Sequence, residues 1–238
     1  MKELPFYIPL VFILTTVLTT LLLSRAARDP RATMMILLLW LAIQSFVGLS
    51  GFYQATHLLP PRFLFLILPP LICLFVLLFS GKGRRLVDSF DAKTLTLLHV
   101  VRVPVEFSLF WLYQQKAVPE LITFDGRNLD ILSGLTAPLV YYFGYVRNVM
   151  SKKLLIAWNL ACLLLLANVV ITAILSVPTP FQQFAFEQPN IAMLYFPFVW
   201  LPCLVVPAVV FAHVVCLRQL IAGEPHGLVK QEVPARVQ

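Results

Sequence analysis

His99, Arg102 and Glu106 occur inside one apolar run, LTLLHVVRVPVEFSLFWLY, residues 95–113. The spacing i, i+3, i+7 puts all three side chains on one face of a helix. At the centre of a membrane helix a single charged side chain costs about 2.5–3.5 kcal/mol on insertion scales. Such residues must therefore be paired, turned into a bundle, or used. Arg102 suits an anion-binding or counter-ion role, Glu106 a titrating carboxylate, and His99 a proton relay. Arg102 and Glu106 can also pair along their own helix. Pro104 lies between them, removes a backbone donor and leaves the Val100 carbonyl without its helical partner.

Other polar residues inside apolar runs are candidates for the same site. Asn159 and Asn168 fall in a later run, His213 in the last, and Gln44 in the second. His99 and His213 are placed at similar depth. Two histidines from different helices could bind a b-type haem or take part in hydrolysis, so an intramembrane redox or hydrolytic enzyme is the alternative to a binding or translocation site. A non-catalytic partner subunit is the third reading. No metal-ligand spacing is present. Cys73, Cys162, Cys203 and Cys216 all fall inside apolar runs without a CxxC, as small packing residues do.

The composition determines the solvent. Hydrophobic residues make up 60% of the chain and charged residues 12%, against about 45–50% and 25% in soluble domains. Backbone groups in a bilayer must be satisfied internally, and β-barrel alternation is absent, so the chain is expected to be an all-α, polytopic membrane bundle. Seven apolar spans can be read, at roughly 4–24, 34–56, 63–80, 95–113, 130–147, 154–177 and 191–217. Pro69-Pro70 interrupts the third, and Pro197, Pro202 and Pro207 bend the seventh. The fifth is the shortest against the roughly 20 residues a span requires. The division is a transmembrane domain over 1–218 and a flexible cytoplasmic tail over 219–238. The nearly neutral start and the long first run suit a retained anchor better than a cleaved signal peptide.

Loop charge orients the seven spans. One side receives 13 basic residues: Arg25, Arg28, Arg31, Lys82, Arg84, Arg85, Lys93, Arg147, Lys152, Lys153, Arg218, Lys230 and Arg236. The other receives Lys2, Arg62, Lys116 and Arg127. The positive-inside rule then puts the N-terminus out and the C-terminus in, with a bacterial inner (plasma) membrane as the expected location. Basic loops facing anionic lipid account for the net charge of +7 without nucleic acid. The external segments 114–130 and 178–190 combine Glu120, Asp125, Asp130 and Glu187 with Phe124, Phe181, Phe184 and Phe186, and are expected to fold back over the bundle. Asp125, Asn128 and Asp130 could offer oxygens to a hard cation, but not at EF-hand spacing.

Known seven-span chemistries fit poorly. The last run has no lysine for retinal. The string Gly48-Leu49-Ser50-Gly51 resembles a rhomboid-type nucleophile motif, but Ser50 lies near the outer end and His213 near the inner. His57 is about 10.5 Å along a helix from Ser50. Ceramidase-type hydrolases need more membrane histidines than are present. The favoured expectation is a non-enzymatic protein that binds or translocates a small solute, ion or proton, through a cavity that reaches Glu106 from the external side. A reporter fused after Gln238 is expected to read cytoplasmic and one inserted near Gln182 external. The same compartment for both would refute the seven-span arrangement.

Overall fold

The computed structural model describes residues 4–222. It is helical, with no strand among the described residues. Helices α1 (Tyr7–Ala26), α2 (Pro30–Leu49), α3 (Leu64–Phe79), α4 (Gly81–Asp88), α5 (Ala92–Leu98), α6 (Arg102–Gln114), α7 (Ile131–Val140), α8 (Lys152–Leu175) and α9 (Val206–Ala222) follow in chain order. A 3-10 turn, His99–Val101, joins α5 to α6, π-turns extend α7 through Val146, and a π-turn at Leu201–Val205 leads into α9.

Local chemistry explains where helices begin. Asp29, Ser80, Asp91 and Ser151 each accept a hydrogen bond from an amide three residues on, capping α2, α4, α5 and α8. Pro30 occupies the first position of α2, where its missing N–H is harmless. Inside α1, Thr15, Thr16, Thr19 and Thr20 are buried and bond back to the carbonyl one turn earlier at 2.7–3.0 Å. Hydroxyls in an apolar environment are thereby satisfied within their own helix.

Five helices are long and apolar enough to cross a membrane: Tyr7–Ala26, Pro30–Leu49, Ala92–Gln114, Lys152–Leu175 and Leu201–Ala222. Helices α3 and α4 make a sixth only if taken as one span bent by 94°. Ile131–Val146 is a shorter apolar helix. The seven runs read from the sequence are thus not seven equivalent helices. Ser80 ends α3 in extended backbone and caps α4, which makes a helix of a segment read as loop. The final helix begins at Leu201 rather than 191: Pro197 precedes it, whereas Pro202 and Pro207 are carried inside it. It continues through Ala222, past the boundary expected at 218. The remainder of the expected tail, 223–238, lies outside the described residues, as do Lys2, Lys230 and Arg236.

Helix ends sort to two ends of the bundle. At one, the Asp91 amide bonds the Ala26 carbonyl at 2.8 Å, and Arg218 grips Asp88 through two bonds of 2.6 and 2.9 Å. Lys93 stands 5.3 Å over the Tyr141 ring there. At the other, Tyr7 meets Trp111 edge-on at 5.1 Å, and the amides of Ile191 and Ala192 converge on the Ala117 carbonyl. Gln188 reaches the carbonyls of Tyr113 and Val118, and Phe124 stacks on Phe110 at 4.9 Å. The segment 114–130 therefore folds back on the helices as its composition suggested. Phe181, Phe184 and Phe186 instead stay exposed.

Prolines shape the interior. Pro207 cannot donate to the Cys203 carbonyl, and the Trp40 indole N–H bonds that carbonyl from α2 at 2.9 Å. Gly134 brings α7 against α6. A Cβ there would stand 2.8 Å from Val103 Cγ2, 3.0 Å from Val103 N and 3.2 Å from Arg102 Cβ. Gly134→Ala is expected to push the two helices apart at a cost of about 1–3 kcal/mol, the range for overpacking. A melting temperature in detergent equal to that of the wild type would show that this approach is not tight.

Candidate functional site

The turn at His99–Val101 tightens the chain one residue before Arg102, beside the carbonyl that Pro104 leaves without a donor. Arg102 is 3% exposed. Its ion pair is with Asp130, at the start of α7, through Nη1 at 2.9 Å. The pairing considered from sequence, with Glu106 one turn along α6, is not the one formed. The same Nη1 approaches the Cys162 carbonyl of α8 at 3.4 Å, and Nη2 lies 2.9 Å from His213 Nε2 on α9. A guanidinium can only donate, so Nε2 accepts and His213 carries its proton on Nδ1. Nδ1 then donates to Asn159 Oδ1 at 2.9 Å, and Asn159 Nδ2 donates to the Leu155 carbonyl at 2.9 Å. One guanidinium thus joins α6, α7, α8 and α9.

Glu106 is attached to this network indirectly. Its Oε1 accepts from Asn128 Nδ2 at 2.6 Å, and Asn128 Oδ1 accepts the Asp130 amide at 2.9 Å. Asn128 also donates to the Ile122 carbonyl at 2.9 Å, which ties the segment 114–130 to the cluster. Since Asp130 meets the charge of Arg102, Glu106 has no cation as its hydrogen-bonding partner. His99 is fully buried and stacks on His213, with centroids 3.9 Å apart and planes at 20°. Trp158 packs edge-on against His99 at 5.6 Å and donates its indole N–H to Thr136 at 3.0 Å. Four polar atoms of the cluster make no hydrogen bond: His99 Nδ1 and Nε2, Arg102 Nε, and Glu106 Oε2.

The structure thus brings His99, Arg102, Glu106, Asn159 and His213 into one cluster. Asn168 is not part of that cluster: it bonds the Arg127 carbonyl at 3.3 Å, in the segment 114–130. Gln44 belongs to a separate pair, accepting from the buried Tyr53 hydroxyl at 2.5 Å. The sequence places Asp130 and Asn128 among loop oxygens, whereas the structure makes them the partners of Arg102 and Glu106. The available signal was Asp130's position just before the apolar helix 131–146, where a carboxylate faces the positive end of the helix dipole. The stacked imidazoles do not suit the haem alternative. Parallel rings 3.9 Å apart leave no space for a porphyrin between them, and His213 Nε2 is engaged by Arg102. Among the described residues, no group of three or more His, Cys, Asp or Glu could hold a metal ion.

Two apolar cavities lie between helices. One, about 170 Å³, lies among α3, α8 and the start of the last helix. The other, about 380 Å³, lies among α1, α2, α3 and α9. Neither is lined by His99, Arg102, Glu106, Asp130 or His213. The cavity expected to reach Glu106 from outside is neither of these.

The geometry makes Arg102 and Asp130 the interdependent pair. Arg102→Met and Asp130→Asn are each expected to cost about 3–5 kcal/mol, as one charge is left buried alone, and the double change to recover part of that loss. Arg102→Met with Glu106→Gln is expected to be closer to additive. Strict additivity for Arg102 and Asp130 in detergent unfolding would show that they do not interact.

Comparison with curated proteins and with solved structures finds no match to this chain. A family model does match, described as a domain of unknown function, DUF8737, over residues 62–221. Every residue of the buried network falls within that span, whereas α1 and α2 precede it. The match covers more than half of the 238 residues, and the chain belongs to the DUF8737 family.

Proposed function

We propose that this is a seven-span membrane protein, N-terminus outside and C-terminus in the cytoplasm, that moves a proton or another small ion or solute through the buried network. The supporting observation is a membrane-depth cluster with more polar atoms than partners. A network that only fastens helices gains most when every member is satisfied. Here both nitrogens of His99 and one oxygen of Glu106 are buried without a bond. Glu106 is the exchangeable carboxyl, because Asp130 neutralises Arg102. Arg102 is the fixed counter-charge, and His99 is the relay toward the basic end. The topology is supported by the alternation of helix ends. The C-terminal ends of α1 and α9 and the starts of α2, α5 and α8 lie toward the side of the basic segments, with α7 completing the return.

The closed packing favours a second reading. His99, Arg102 and Glu106 are 0%, 3% and 2% exposed, as in a purely structural lock. Proton flux into liposomes containing the full-length protein, driven by a potassium diffusion potential and read with a trapped pH dye, separates the two. Flux above that of protein-free vesicles is expected, and Glu106→Gln is expected to abolish it while leaving the melting temperature near that of the wild type. Wild-type flux no greater than background under either sign of potential, or full flux in Glu106→Gln, would overturn the proton role assigned to Glu106.

A further inference from the structure

The larger apolar cavity is placed differently from the buried network and has different chemistry. It holds about 380 Å³, within the range of small-molecule sites. Its walls come from four helices, and Pro69, Pro70 and Pro207 line it together. Its rim residues Ile36 and Cys73 are exposed, so the space is open between α2 and α3 rather than sealed in the core. Helix α2 buries only Leu41, Gln44 and Gly48, which leaves this side of the bundle thinly covered.

One end of the cleft is strongly basic. Thr33 in the first turn of α2 and Leu77 in the last turn of α3 both line it. Arg31 precedes Thr33 by two residues and is exposed. Beyond Leu77 the chain turns through 94° into α4, whose Lys82, Arg84 and Arg85 are exposed. A helix lying across the end of a span, with charged residues outward and Val87 buried, has the character of an interfacial helix. The salt bridge between Asp88 and Arg218 fastens it to α9, another wall of the cleft.

We infer that this cleft takes an acyl chain of an anionic glycerophospholipid, whose phosphate is met by Arg31 and Lys82 at the basic end. The apolar walls provide for the chain, and the cations provide for the headgroup. Neither feature alone would select an anionic lipid. An apolar groove takes any chain, and a basic surface takes any phosphate.

The test is native mass spectrometry of delipidated full-length protein in non-ionic detergent. It is titrated with phosphatidylglycerol, with phosphatidylcholine of the same chains, and with glycerol 3-phosphate. The first phosphatidylglycerol is expected to bind on the order of tenfold more tightly than phosphatidylcholine, and glycerol 3-phosphate not at all over the same range. Arg31→Gln with Lys82→Gln should remove the headgroup preference. Ala208→Leu, which fills the cleft from α9, and Cys73→Trp, which fills it from its exposed rim, should each weaken phosphatidylglycerol. Equal affinity for the two lipids would overturn the inference. So would phosphatidylglycerol affinity unchanged in both filling variants, a preference that survives Arg31→Gln with Lys82→Gln, or binding of glycerol 3-phosphate as tight as that of the lipid.

Discussion

A guanidinium held among apolar helices needs acceptors, and the two terminal nitrogens of Arg102 find them on three other helices, leaving only Nε without a partner. Asp130 supplies the charge, the Cys162 carbonyl a second acceptor, and His213 a neutral ring nitrogen whose other face is fixed by Asn159. Removing any one would leave a buried donor or charge without compensation, and such losses are among the larger single effects in protein stability. The network is also directional. Because Arg102 only donates, it sets the tautomer of His213, which in turn orients Asn159. The absence of a side chain at Gly134 lets α7 come close enough for Asp130 to take part.

The bilayer's demand that backbone groups be paired explains the other irregularities. Each proline in an apolar helix leaves a carbonyl without its usual donor, and the chain answers locally. The helix tightens at His99–Val101 ahead of Pro104 and widens into a π-turn around Pro202. Trp40 delivers an N–H from another helix to the carbonyl that Pro207 cannot serve. These adjustments lie where the polar network and the larger cleft are built. The distortions therefore belong to the parts of the bundle where helices leave ideal packing.

The polar cluster and the apolar cleft occupy different parts of the molecule. The polar cluster lies within α5 to α9, closed to solvent, with Glu106 attached through Asn128 to the segment 114–130. The apolar cleft lies under α1, α2 and α3, open at its rim and basic at one end. They share only α9, through His213 in one and Pro207, Ala208 and Phe211 in the other.

Composition and run length were enough to read a helical membrane protein, because burying or solvating that much apolar surface leaves few choices. The spacing of His99, Arg102 and Glu106 marked the helix that carries the polar cluster. Asn159 and His213 could be nominated because polar side chains inside apolar runs are costly unless used. Partner choice was beyond the sequence. Helical spacing offered Glu106 to Arg102, yet Asp130, 28 residues away, took the place. An ion pair forms with whichever carboxylate the packing of two helices delivers within 3 Å, and that packing depends on Gly134 and on how the segment 114–130 folds back. For the same reason Asn168, similar in type and setting to Asn159, ended outside the network. The bend that makes α4, the stacking of the two imidazoles and the cleft beneath α2 are likewise properties of how helices meet, which no single run of residues encodes.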